Sequence, residues 1–234
     1  MYKLGIIGGM GPEATELLYR KIIENTEAAR DQEHIDAIIL NHASMPDRTE
    51  AILSGNTGKI ISMLKADVEL LNGAGVRVIG IPCNTSHCFL DSIRPYAKGE
   101  IVDMIDETVA EFCKSGKRKA GIMCTDGTLK AGMYKRACEK HGVELIYPDE
   151  ETQKTVMNII YGQVKKGELG SKTDFLRAAE YFKNSGCDGI LVSCTELSCV
   201  LMNHGITDGY FVDALGVLAN RCIEKSGYKI RWGD

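Results

Sequence analysis

The chain has 234 residues, enough for one substantial core or two small ones. Apolar residues make up 44% and charged residues 26%, ordinary for a globular protein, and a net charge of −4 with scattered basic residues gives no footprint for nucleic acid. No apolar run approaches the roughly 20 residues that span a bilayer; the N-terminus enters a strand after three residues, so no signal peptide is expected and the expected location is cytoplasmic.

The first half reads as strand, loop and helix in repetition. Lys3 to Ile7 is a strand, Gly8-Gly9-Met10-Gly11-Pro12 a loop with Pro12 at a helix start, and Glu13 to Ala29 an amphipathic helix. Ile35 to Leu40 is a second strand, ended by the polar stretch Asn41 to Arg48. Lys59 to Leu71 is helical and stops at Asn72-Gly73. Val76 to Ile81 is a third strand, with Cys83 after it. A short helix and a break at Arg94-Pro95 lead to Ile101-Val102-Asp103 and a helix through Cys113.

The second half repeats the pattern. Lys119 to Met123 is a strand and Cys124-Thr125-Asp126-Gly127-Thr128 its loop. Helices are expected over Ala131–His141, Glu150–Lys166 and Lys172–Lys183, with a strand over Val143–Tyr147. Gly189 to Val192 is the strand before Cys194; Phe211-Val212-Asp213 and a helix through Lys225 follow. Matched positions keep a near-constant offset: Gly5 to Gly121 is 116, Cys83 to Cys194 is 111, Asp103 to Asp213 is 110. The expected fold is therefore α/β. Two similar lobes, each a mostly parallel sheet flanked by helices, are related by pseudo-twofold symmetry, with the active site in the cleft between them. One lobe is expected to hold residues 1–103 plus 209–234, the other 104–208.

Ligands in such folds bind beyond the carboxyl ends of the strands, where both cysteines fall. The nine cysteines are odd in number and imply no disulfide framework. The spacings Cys83–Cys88 and Cys194–Cys199 do not suit a chelating pair, so no metal is expected. Two thiols presented alike from two halves of the chain point to an acid and a base acting on one substrate carbon. A helix start after each cysteine is expected to lower its pKa, and the same amides can hold a carboxylate. Asn84, Thr85 and Thr195 add donors. Glu196 reads either as a residue orienting a base or as an ordinary acid of a helix's first turn. Thr125 and Thr128 have the duller reading of turn and cap residues. His87 reads as a packed or capping residue, and Met10 as lining the cleft through its backbone.

Gly-Gly-Met-Gly-Pro at 8–12, Pro-Cys-Asn-Thr-Ser-His at 82–87 and Ser-Cys-Thr-Glu-Leu at 193–197 resemble the aspartate/glutamate racemase superfamily, its aspartate racemase branch in particular. The resemblance runs in order along essentially the whole chain. It implies a racemase with no cofactor, usually a homodimer, whose small-molecule substrate is an acidic amino acid. Cys83 and Cys194 would be the acid/base pair. Asn84, Thr85, Thr125, Thr128 and Thr195 would surround the amino-acid end, with Met10 and Glu196 in the substrate-facing set. Arg48 and Lys165 would clamp the distal carboxylate. Two positions depart from the pattern: Ser198 stands where proline is common, and Cys124 where a small residue such as alanine is usual.

Other readings compete. Gly9 to Ala14 matches the dinucleotide loop G-x-G-x-x-A, but the acid expected after the second strand is absent, because Asn41 follows Leu40. A hydantoin racemase or maleate isomerase would not need Arg48 and Lys165. A non-catalytic binder of acidic amino acids would keep the cleft without the chemistry.

Overall fold

The computed structural model describes residues 2–231. The first lobe runs β1 (Leu4–Gly8), α1 (Pro12–Asn25), β2 (Ala37–Asn41), α2 (Arg48–Ser54), α3 (Gly58–Gly73), β3 (Val78–Gly80), α4 (Leu90–Ile93) and β4 (Glu100–Ile101). Then come α5 (Met104–Lys114), β5 (Lys119–Met123), α6 (Asp126–Ala131), α7 (Met133–His141), β6 (Glu144–Ile146) and α8 (Glu150–Met157). The chain closes with α9 (Lys172–Asn184), β7 (Gly189–Val192), α10 (Thr195–Asn203), β8 (Phe211–Asp213) and α11 (Ala214–Lys225).

The strands form two parallel four-stranded sheets of the same order, β2-β1-β3-β4 and β6-β5-β7-β8. The central strands β1 and β7 are buried along their whole length. Helices cover both faces of a parallel sheet, so such strands read as unbroken apolar runs. The edge strand β2 keeps residues in contact with solvent.

Matched aspartates close each lobe. Asp103 caps α5 by accepting from Asp106 N, and Asp213 caps α11 by accepting from Leu215 N. Each capped helix then crosses to the other lobe: α5 packs on α7 and β8, and α11 on α1 and β3. The expected boundary at residue 209 put Phe211–Asp213 with the first lobe. That strand pairs in parallel with β7 (Val192 opposite Asp213), so it belongs to the second sheet, and only α11 returns. Because of this exchange of helices one apolar cluster spans both lobes, from Leu4, Ile6 and Leu18 to Phe182, Val192 and Leu218.

Two local departures bear on the site. The stretch ending at Arg48, read as loop, turns into α2, capped by Asp47 accepting from Glu50 N. The helix expected over 150–166 breaks: α8 ends at Met157, a π-helical turn covers Asn158–Gln163, and a 3-10 turn covers Val164–Lys166. Turns of this wide kind concentrate at functional sites.

Candidate active site

The loop after β1 is held by close backbone approach. Gly9 has φ of +86°, and a Cβ there would lie 2.4 Å from the backbone of His42. The turn sets the carbonyl of Met10 facing Arg48, whose Nη2 donates to it at 3.2 Å. Arg48 Nη1 donates to Pro46 O at 2.9 Å and Met45 O at 3.3 Å. The guanidinium is only 7% exposed, and its Nε is buried with no partner among the described residues. Burial works against its charge, but Cys83 and Asp47 beside it outweigh that and raise its pKa.

Cys83 follows β3 and enters a 3-10 turn, Thr85–Phe89, before the four residues of α4, so no full helix starts behind it. Its carbonyl accepts from Nδ1 of His87 at 2.9 Å, while Nε2 of the same ring accepts from Met104 N at 3.1 Å. Those two bonds fix the neutral tautomer, and burial lowers the His87 pKa. His87 thus ties the Cys83 turn to the start of α5. Asn84 Oδ1 accepts from Tyr134 Oη at 2.6 Å across the lobes, and Asn84 Nδ2 is buried without a partner among the described residues.

The hydroxyls of Thr85, Thr125 and Thr128 form a triangle with sides of 3.0 to 3.1 Å that joins the lobes. Thr125 also caps α6. Gly127 comes so close to α2 that a Cβ on it would sit 2.8 Å from Thr49 Cα. Thr125 lines the central chamber; Thr128, 1% exposed, stands behind it as a structural partner.

Cys194 is the N-cap residue of α10, and its Sγ donates to Oε2 of Glu196 at 2.9 Å. Burial and the adjacent Glu196 carboxylate push this thiol well above its ordinary pKa. The expectation that a helix start would lower it is reversed here, because burial, with the Glu196 charge added to it, outweighs the helix dipole. Glu196 Oε1 meets Lys165 Nζ at 2.9 Å, which joins Cys194, Glu196 and Lys165 in one chain of contacts. Burial opposes the Lys165 charge, but Glu196 and Cys194 prevail and raise its pKa. The next lysine, Lys166, is not among the residues that line the chamber described below.

These parts converge. Met10, Arg48, Cys83, Asn84 and Thr85 from the first lobe and Thr125, Lys165, Cys194, Thr195 and Glu196 from the second line one chamber. Its free space is about 10 Å³, room for a single water-sized group. Three lining residues escaped the sequence reading: Asp47, Thr49 and Tyr161. Tyr161 Oη donates to both oxygens of Asp47, at 3.0 and 3.2 Å, and closes the chamber from above. The signal for Asp47 was present, since Asp47 and Glu50 have the spacing of a helix cap; Tyr161 lay in what read as a plain helix.

A family profile described as Asp/Glu/hydantoin racemase matches residues 7–220. The chain belongs to this family. As a member it is an amino-acid racemase. The "Broad specificity amino-acid racemase RacX" of Bacillus subtilis is 25% identical, the alignment covering 94% of this chain and 96% of that one. The Picrophilus torridus aspartate racemase structure superposes with a TM-score of 0.81 at 27% identity, over 98% of this chain and 96% of that one. An aspartate racemase homologue from Pyrococcus horikoshii gives 0.76 at 26% identity, over 97% and 99%. In this racemase the two departures from the family pattern have local roles. Ser198 Oγ donates to Asp213 Oδ1 at 2.6 Å, tying α10 to the end of β8, and Cys124 is fully buried with its carbonyl held by Gln153.

Proposed function

We propose that this racemase works without a cofactor on acidic amino acids, aspartate foremost, with Cys83 and Cys194 as the two bases. The observation that carries the reading is that the two cysteines, one from each lobe, line one closed chamber beside two buried donors without partners, Arg48 Nε and Asn84 Nδ2. An unpaired buried donor costs about 1–3 kcal/mol, and a substrate with two carboxylates supplies acceptors for both.

In one direction the Cys83 thiolate, with the Arg48 cation beside it, takes the α-proton. The carbanion is held by its conjugated carboxylate against Asn84 and the Thr85 and Thr195 donors. Cys194, kept as a thiol by burial and Glu196, then delivers its proton to the other face. The proton count is conserved: Cys83 ends as thiol and Cys194 as thiolate, the state from which the opposite enantiomer is processed. Lys165 offsets one of the two negative charges that the Cys194 thiolate and Glu196 then carry. Arg48 and Lys165 receive the distal carboxylate. A chamber this small admits substrate only when the lobes part, and closing around it excludes water from the carbanion.

Chiral chromatography of L- and D-aspartate and glutamate, incubated in D₂O with the pure protein and no pyridoxal phosphate, tests this. Interconversion with deuterium at Cα is expected; deuterium-free, unchanged enantiomers would leave only a binder. The same reading has the protein acting as a cytoplasmic homodimer, for which light scattering of the eluted protein gives the mass. A wider substrate range is the second reading, favoured by a cavity of about 450 Å³ beyond Lys165.

A further inference from the structure

Tyr134 stands outside the chamber, yet it bonds to a side chain that lines it. The break at Gly132, where φ is +64°, ends α6 and starts α7, and Tyr134 falls in the first turn that follows. It is 2% exposed and packs in the apolar cluster that holds Phe112, Ile122 and Leu191. A buried tyrosine hydroxyl needs a polar partner. Here the partner is the amide of Asn84, in the other lobe, whose Oδ1 accepts at 2.6 Å. Burial raises the pKa of the phenol, so it stays protonated and able to donate. The hydroxyl of Ser193, the residue before Cys194, acts on the same phenol oxygen.

A side-chain amide has two unlike ends. An asparagine at the start of a helical turn ordinarily turns its oxygen back to cap the backbone. Asn84 precedes the turn Thr85–Phe89 and makes no such bond. Its oxygen is taken by Tyr134, and its Nδ2 is left buried without a partner among the described residues. With oxygen and nitrogen exchanged, Asn84 would offer the chamber an acceptor, which repels a carboxylate.

We propose that Tyr134 is a positioning residue for racemisation: its hydroxyl holds the Asn84 amide with the nitrogen free for the chamber, where it donates to the substrate α-carboxylate. The inference rests on the racemase reading of the chamber. The α-carboxylate gains negative charge as the α-proton leaves. A donor fixed on it therefore acts more strongly on the transition state than on bound substrate. Loss of the fixed orientation falls on kcat more than on KM.

The test measures kcat and KM for aspartate, by chiral chromatography, in the wild type, Tyr134→Phe, Asn84→Ala, the double variant of these two, and Asn84→Asp. Tyr134→Phe keeps the ring in its cluster and removes the donated proton. Its kcat should fall about 10-fold or more, with KM changed by less than about threefold. In the Asn84→Ala background the same substitution should change kcat by less than about twofold, because the group through which Tyr134 acts is gone. Asn84→Asp keeps the acceptor for Tyr134 and loses the donor for the chamber, so its kcat should also fall about 10-fold or more. Equal losses from Tyr134→Phe in both backgrounds, the mark of a tyrosine that only supports the fold, overturn the inference. So does a wild-type kcat in Tyr134→Phe or in Asn84→Asp. In each of those cases the wild type still racemises aspartate and the acidic reading stands; a wild type without aspartate turnover removes both.

Discussion

Cys194 Sγ donates a hydrogen bond to Glu196 Oε2 at 2.9 Å, and the other oxygen of that carboxylate is held by Lys165. The thiol is thereby stored as an acid in a dry site, with a cation one contact away for the moment it gives up its proton. Glu196→Gln removes the negative charge that raises the Cys194 pKa. The pH midpoint for alkylation of Cys194 by iodoacetamide should fall, and racemisation should slow about 100-fold. An unmoved midpoint would show that Glu196 does not hold the proton.

Replacing either Cys83 or Cys194 by serine takes one base from the pair. Interconversion should drop at least ~100-fold, the scale of a lost acid–base group. The remaining cysteine should still exchange the α-proton of one enantiomer, read as deuterium in D-aspartate for one variant and L-aspartate for the other. Full racemisation by a Cys83→Ser/Cys194→Ser double variant would be incompatible with the proposed chemistry.

Arg48→Lys keeps a cation under the Met10 and Pro46 carbonyls but loses the planar fork and the buried Nε. A charged hydrogen bond contributes about 1.5–3 kcal/mol. KM for aspartate should therefore rise by about 10-fold or more, with a smaller change in kcat. Equal kinetics in variant and wild type would take Arg48 out of carboxylate binding.

Tyr161 and Asp47 join the lobes above the chamber. Tyr161→Phe removes the donor and leaves the ring, at a cost of about 1 kcal/mol. The closed state should loosen, and Cys194 alkylation at fixed pH should speed up about fivefold. An unchanged rate would mean that the opening motion does not pass this contact.

Cys222 is fully buried against Gly80, and burial pushes its pKa from 9.0 up to about 12. Such a raised group binds its proton more tightly when folded. Its contribution is fully present below pH 9 and is lost as pH rises from the unfolded value towards the folded one. At pH 10 one such thiol costs about 1.4 kcal/mol. The free energy of unfolding, measured in urea, should decline above pH 9, and the decline should be shallower in Cys222→Ala by that amount after allowing for the pH-independent cavity cost. Parallel pH curves for the two proteins would contradict it.

Much of the architecture was legible in the chain order of its apolar runs. The parallel strands Lys119–Met123 and Gly189–Val192 carry their burial in their composition, and the offset near 110 between Cys83 and Cys194 announces two equivalent lobes. Less legible was anything set by one element meeting another. Phe211–Asp213 looks the same as an edge of either sheet, and only its register with β7 assigns it. Tyr161 occupies a helical pattern that tolerates a π-helical turn without changing its periodicity enough to reveal it.

By itself the sequence determined which residue types stand at the strand ends, two thiols with polar followers, because strand and turn chemistry are local. It also determined that Arg48 and Lys165 were available as cations. Only the tertiary structure decided which groups share space. It buried the Cys194 sulfur and put Glu196 against it, and so turned an expected pKa depression into a rise, since loss of solvent together with a neighbouring negative charge exceeds the pull of a helix end. It also put Thr128 behind Thr125 and opened a cavity beyond Lys165. Distances across the two lobes decide those facts, and no local pattern encodes them.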